Sequence, residues 1–137
     1  MKYYTFLQQF HAQIVSGTKH STIRQKPKVN VGERFTLRYW TEKPYRSKMG
    51  TLGSAVCTCV VEEFSFNLSS DGAFEILLNT DDWISYPWLS DLDYVASIEG
   101  FDSASAMFSY FEKHHGLPFC GTLTSWDPKS FIPGEGI

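Results

Sequence analysis

The sequence predicts an α+β domain built on a mainly antiparallel sheet or small mixed β-barrel with flanking helices. Helical spacing of apolar residues marks the start of the chain and a stretch from about residue 91 to 114, and strand-like patterns run between them. The strand-like segments are not regularly interleaved with helices, which argues against a doubly wound parallel sheet. At 137 residues the chain suits one domain, 1–137, with one core.

The first segment, Thr5 to Val15, places Phe6, Leu7, Phe10, Ile14 and Val15 at helical spacing, with Gly17 as a stop. His20 to Gln25 is too short for a helix and reads as extended; Lys26-Pro27, Asn30 and Gly32 give a turn. Phe35, Leu37 and Tyr39 then alternate with Arg34, Thr36 and Arg38, the pattern of a half-buried strand. A polar loop is expected over 41–53. One long or bent strand follows over Ser54 to Phe66, and another over Phe74 to Leu78. A short helix fits between Asp91 and Glu99. A clearer one runs from Ser103 to His114, with Asp102 or Ser103 as N-cap and Gly116 beyond its end. Phe119 to Trp126 reads as a closing strand, and the segment after Asp127 as a surface strap.

Composition narrows the function. Aromatic residues make up 16% of the chain, charged ones 20%, and the net charge is −3, so a broad phosphate-neutralising surface is excluded. Any contact with nucleic acid is therefore expected at a local patch or a pocket for one nucleotide. No apolar run approaches a membrane span, and Met1 to His11 does not read as a signal peptide. Cys57 and Cys59 fall at strand spacing without His or Cys partners nearby, which reads as buried free thiols in a reducing cytoplasm. No ligand set has metal spacing, and no glycine loop leads into Lys-Ser/Thr, so neither a metal nor another cofactor is expected.

Chemistry concentrates in Gly17-Thr18-Lys19-His20-Ser21-Thr22-Ile23-Arg24. If this segment is extended, Thr22 and Arg24 share a face, and a turn at Thr18-Lys19 re-aims the lysine towards Thr22. A threonine hydroxyl becomes nucleophilic when a base takes its proton, and a buried lysine of lowered pKa can be that base. On residue types alone the segment also reads as an ordinary basic surface turn. Glu99, beside Ile98 and Phe101, is the second candidate: either a partly desolvated carboxylate able to exchange protons, or a helix-end carboxylate bonded to the amides of the next helix.

Taken together, these stretches resemble the ASCH family, whose fold is similar to the PUA domain. The resemblance rests on Gly17-x-Lys19-x-x-Thr22-x-Arg24 after an amphipathic helix, then Val31-Gly32-Glu33 leading into Phe35 to Tyr39. It continues with Ala96-x-x-Glu99-Gly100-Phe101, His114-His115-Gly116 and a last strand ending at Trp126, nearly the whole chain. It implies a small mixed β-barrel with flanking helices. It also implies an enzyme similar to the family's small bacterial amidohydrolases, which remove the acetyl group of N4-acetylcytidine with a Lys, a Thr and a Glu. By position these match Lys19 as activating base, Thr22 as nucleophile, and Glu99 as the group that holds the lysine or moves protons. Arg24 matches a residue that positions the base or stabilises the oxyanion.

The chain is longer than those enzymes, with added segments over 41–53 and 79–90. The first, with Trp40 beside it, brings Tyr45, Arg46 and Lys48, a mixture suited to stacking on a base and touching phosphate. The second brings Trp83, Tyr86, Pro87 and Trp88, which read as core or lid packing. Other family members resemble RNA-binding modules, and some are linked to RNA cleavage. The expected partner is accordingly a modified nucleoside or single-stranded RNA. A non-catalytic RNA-binding module or a ribonuclease stands as the alternative to the amidohydrolase.

Overall fold

The computed structural model describes residues 2–26, 28–40, 49–78 and 87–134. The chain begins not with a helix but with a strand, β1 (Tyr3–Phe6), in which Tyr4 and Phe6 point inward. A 3₁₀ turn over Gln8–Phe10 then leads into a short helix, α1 (His11–Ser16). The helix expected from Thr5 is therefore confined to the second half of that segment. Tyr3 to Phe6 satisfies its backbone by pairing in parallel with a strand some thirty residues later, a partner that local periodicity cannot reveal. Gly17 closes α1 in the left-handed conformation, φ 88°, which a residue with a side chain adopts only with strain.

Next come β2 (Ser21–Arg24) and β3 (Arg34–Trp40). In β3 the expected alternation is realised, with Phe35 and Leu37 fully buried. The following strand, β4 (Met49–Leu68), is 20 residues long and starts earlier than expected, so 49–53 belong to a strand and not to a loop. Register shifts between Cys57 and Cys59 and between Val61 and Phe64 mark irregular points along it. After β5 (Phe74–Leu78) the chain forms α2 (Leu92–Glu99) and α3 (Ala104–His115). Asp91 and Ser103 cap their N-termini through side chains that accept from Tyr94 and Ala106. The chain then enters β6 (Phe119–Trp126) and the two-residue β7 (Ile132–Pro133).

Among the described residues, seven strands form a mixed, mostly antiparallel sheet with the path β1-β3-β4-β6-β2; β5 and β7 also pair with β4. Among the described strands, β1 and β3 pair in parallel and the other pairs are antiparallel. The front of β4 pairs with β3 and its rear with β6 and β5, so one strand serves both halves of the sheet. The sheet is not closed into a barrel: β1 and β2 end the path, and no backbone ladder joins them among the described residues. Two apolar clusters fill the interior. One lies between α2, α3 and the β4–β5–β6 side, around Phe66, Phe108 and Leu123; the other packs Tyr4, Phe35 and Trp126 on the β1–β3 side. Of the predicted packing tryptophans, Trp88 sits against the first cluster, whereas Trp83 lies outside the described residues. No helix among the described residues is long and apolar enough to cross a membrane.

Candidate active site

The turn after α1 is tied at both ends to the helical layer. Lys19 N donates to Gln13 O at 3.0 Å, and His20 N donates to Ile98 O at 3.0 Å. Gln13 Nε2 also reaches Gly100 O at 3.1 Å. These bonds clamp the start of β2 against the end of α2, and so bring Lys19 to Glu99 across the chain. Gly100 ends α2 with φ 92°, and a Cβ there would stand 2.9 Å from Phe10 Cδ1 and 3.2 Å from Lys19 Cδ. The lysine stem thus runs through space that only glycine leaves open.

Lys19, Thr22 and Glu99 are all buried, at 3%, 4% and 2% exposure, yet all three line one open cleft of about 870 Å³. Lys19 Nζ donates to the main-chain carbonyls of Ser21 at 2.8 Å and Glu99 at 2.6 Å, and lies 3.9 Å from Glu99 Oε1. It also sits 4.6 Å from the ring centre of Phe10. Burial lowers its pKa from 10.5 to about 8; the Glu99 carboxylate opposes that shift and Arg24 adds to it. A neutral amine has two N–H donors, matching the two carbonyls, and keeps a lone pair to accept a proton. With a pKa of about 8, roughly a tenth of the molecules carry that neutral amine at pH 7. In an NMR titration of labelled lysine side chains, Lys19 is expected to show a midpoint near 8. A midpoint at 10 or above would contradict this account of the site.

Thr22 and Arg24 share a face of β2, as the extended reading expects: Arg24 Nε donates to Thr22 Oγ1 at 3.0 Å. The threonine hydroxyl therefore accepts from a cation, and its proton remains available to a base. Among the described residues no hydrogen bond joins Lys19 to Thr22. Arg24 Nη2 reaches across to Thr5 O at 2.6 Å, and its guanidinium lies over the Tyr4 and Phe6 rings. A side chain thus spans the gap between β1 and β2 that the backbone leaves unpaired.

Glu99 is not bonded to the amides of α3, one of its two predicted roles. Its Oε2 accepts from Ser21 Oγ, a side chain with no exposed surface. Trp40 lines the cleft, half-buried, while Tyr45, Arg46 and Lys48 lie outside the described residues.

Several residues in or beside the cleft carry no catalytic or binding assignment from the sequence. Ser21 shares the Lys19 face of an extended segment, a signal that two-residue spacing carries. Tyr110 with His114 and Phe111 with His115 sit one helical turn apart on α3, the spacing of neighbours on a helix face, and all four line the cleft. His20 is half-buried near Lys19 and Glu99, and burial pushes its imidazole pKa down. No group of three or more His, Cys, Asp or Glu side chains suited to hold a metal gathers among the described residues. Burial raises the thiol pKa of both Cys57 and Cys59, which makes them poor nucleophiles.

Comparison with protein-family models, with curated proteins and with solved structures gave no match for this chain.

Proposed function

We propose that the cleft is the active site of an ASCH-type amidohydrolase that deacylates the exocyclic amine of a pyrimidine nucleoside such as N4-acetylcytidine. The observation that carries this reading is the buried Lys19 amine, held by two carbonyls and lowered to a pKa of about 8, in one cleft with Thr22 and Glu99. A PUA-like barrel is part of the same reading. The Arg24 bridge from β2 to the Thr5 carbonyl of β1 supports it, because it acts where a closed barrel has its seam.

In this mechanism neutral Lys19 takes the Thr22 hydroxyl proton as Oγ1 attacks the acetyl carbonyl. The Arg24 Nε–H steadies the oxygen as charge develops there. Collapse of the tetrahedral adduct breaks the C–N bond, and the lysine proton passes to the departing nucleoside amine. Water then attacks the Thr22 ester, Lys19 takes one of its protons, and acetate leaves as Thr22 regains its hydroxyl. Glu99 fixes the lysine and, with Ser21, sets the charge around it.

The test is loss of the acetylated-base absorbance when the purified protein meets N4-acetylcytidine. Turnover is expected, rising with pH and levelling off above about 8 as Lys19 loses its proton. Lys19→Met is expected to abolish it, with folding checked by circular dichroism. Absence of turnover by the natural protein, or full activity of a folded Lys19→Met variant, overturns the reading. A non-catalytic RNA-binding module is the second reading, favoured by the aromatic and basic side chains of Tyr3, Trp40 and Lys28 along the cleft. An ASCH-type ribonuclease, with Lys19 and Glu99 handling protons, lies between the two.

A further inference from the structure

Aromatic rings make up much of the cleft, with Phe6, Phe10, Phe101, Tyr110, Phe111 and Phe119 among its lining. Rings offer faces to a base but no strong hydrogen bonds, so the few hydroxyls between them decide which polar atoms of a ligand are met. Among the described residues four hydroxyl side chains line the cleft: Tyr3, Thr5, Thr22 and Tyr110. Thr5 Oγ1 donates to Met49 Sδ at 3.7 Å, and Thr22 Oγ1 accepts from Arg24. The two phenols have no hydrogen-bond partner among the described residues, and neither oxygen is sealed from solvent. Tyr3 lies on β1 beside the Arg38 and Lys28 cations, which stand 4.5 and 5.1 Å from its ring centre. Tyr110 is tied to the reacting groups. Its ring on α3 packs 6.4 Å from that of Phe10, and Phe10 stands 4.6 Å from Lys19 Nζ, so Tyr110 is one ring away from the amine. Phe101 at 5.3 Å, Phe111 at 5.6 Å and His114 at 4.3 Å also pack against it. A ring held in this way presents its hydroxyl to a ligand at low entropic cost. Burial pushes the phenol pKa up, and the Arg24 charge opposes the rise. The phenol therefore keeps its proton near neutral pH and offers a donor that nothing in the described fold uses.

We propose that Tyr110 is a specificity-determining residue whose phenol O–H donates to the ring carbonyl O2 of the pyrimidine. In an N4-acylated base the acyl carbonyl must reach Thr22 Oγ1, which puts N4 beside β2. The same edge of the base then carries N3 and O2, and O2 is the acceptor farthest from the reacting bond. A donor one ring beyond the lysine meets that far end, and the neighbouring aromatic rings pack on the base. The hydrogen bond is made to an atom that does not change during deacylation, so it contributes to binding and not to the chemical step. The identity of the base rests on the amidohydrolase reading; the unused donor rests on the cleft itself.

The experiment is calorimetric titration of the full chain with cytidine and with 2-thiocytidine, in which a poorly accepting sulfur replaces O2. The natural protein is expected to bind cytidine more tightly. Tyr110→Phe keeps the packed ring and removes only the hydroxyl; it is expected to weaken cytidine about 3- to 10-fold and to leave 2-thiocytidine nearly unchanged. Tyr94→Phe, which removes a phenol that does not line the cleft, is expected to keep both affinities. An unchanged cytidine affinity in folded Tyr110→Phe, an equal loss for both ligands, or no binding of cytidine by the natural protein overturns the assignment. Equal affinity of the natural protein for the two nucleosides overturns it without recourse to a variant. With N4-acetylcytidine as substrate, Tyr110→Phe is expected to raise KM by the same factor and to leave kcat as it is. The two readings fail separately. Affinity for cytidine that depends on Tyr110, without turnover of N4-acetylcytidine, removes the hydrolase and supports the role of the tyrosine. Turnover with the same KM in Tyr110→Phe and the natural protein removes that role and leaves the hydrolase.

Discussion

Thr22→Ala is expected to lower kcat for deacetylation by at least ~1,000-fold, because loss of a nucleophile forfeits the covalent route altogether. The fold should survive the change at a moderate cost. Thr22 is buried on β2, but its side chain makes a single described hydrogen bond, accepted from Arg24 Nε. Loss of one such bond to a charged donor costs about 1.5–3 kcal/mol, and Arg24 keeps its contact to the Thr5 carbonyl. Thr22→Ser retains the hydroxyl and is expected to keep measurable turnover. The comparison needs kcat for the three proteins beside their thermal melts. A well-folded Thr22→Ala protein with a tenth or more of the natural rate would remove Thr22 from the chemistry.

Glu99→Ala is expected to cost the fold about 3–5 kcal/mol at pH 7, the usual penalty for stripping one partner from a buried ion pair. Two groups lose a partner, and the packing around them opens. The Lys19 ammonium keeps only carbonyls and an aromatic ring, the Ser21 hydroxyl loses its acceptor, and a space opens at the end of α2. The cost must depend on pH in a definite direction. In the folded natural protein Lys19 has a pKa of about 8 against 10.5 for the exposed side chain, so the unfolded chain binds more protons between those values. Stability therefore rises with pH across that window as the burial penalty on the charge is relieved. Without Glu99, which holds the lysine pKa up, the amine sheds its proton at still lower pH. The variant's deficit against the natural protein should thus be largest at low pH, shrink as pH rises towards 8, where the natural lysine also loses its proton, and stay constant above it. Urea unfolding of both proteins at several pH values measures it. A deficit that does not change with pH would mean that Glu99 acts through packing and not through charge.

Some parts of this arrangement can be read directly from residue order. Phe35 and Leu37 alternate with polar neighbours and lie inside; Ser103 and Gly116 bracket α3; Gly100 marks the end of α2 directly after Glu99. What escapes a local reading depends on distant partners. Tyr3 to Phe6 is four residues long and shares Phe6 with a plausible helical stripe, so only its pairing with β3 decides its conformation. Gly50 and Gly53 look like loop residues, but both belong to β4. The Tyr39 ring packs over the first, and Phe131 with the Ile132 carbonyl packs over the second, where no Cβ would fit. Within the site, the residue types of Lys19, Thr22 and Glu99 are legible, but their burial is not. The bond from His20 N to Ile98 O, between segments far apart in the chain, converts a polar turn into an enclosed cluster. Ser21 has a similar standing: its spacing places it on the Lys19 face, but the carboxylate that its hydroxyl meets lies far along the chain.

The two short contacts of the Lys19 amine are to main-chain oxygens. Every amino acid supplies such an oxygen, so substitutions at positions 21 and 99 leave these acceptors in the polypeptide even when they remove the side chains. Replacing the Glu99 or Arg24 side chain shifts the basicity of this amine through charge, but its grip by the two nearest acceptors is beyond the reach of side-chain replacement. The effective handle is the separation between the strand that carries residue 21 and the helix that ends at residue 99. Shortening or lengthening the turn at 17–18, or remodelling the junction at Gly100, would change how firmly the amine is gripped while leaving the Thr22 and Arg24 side chains unaltered.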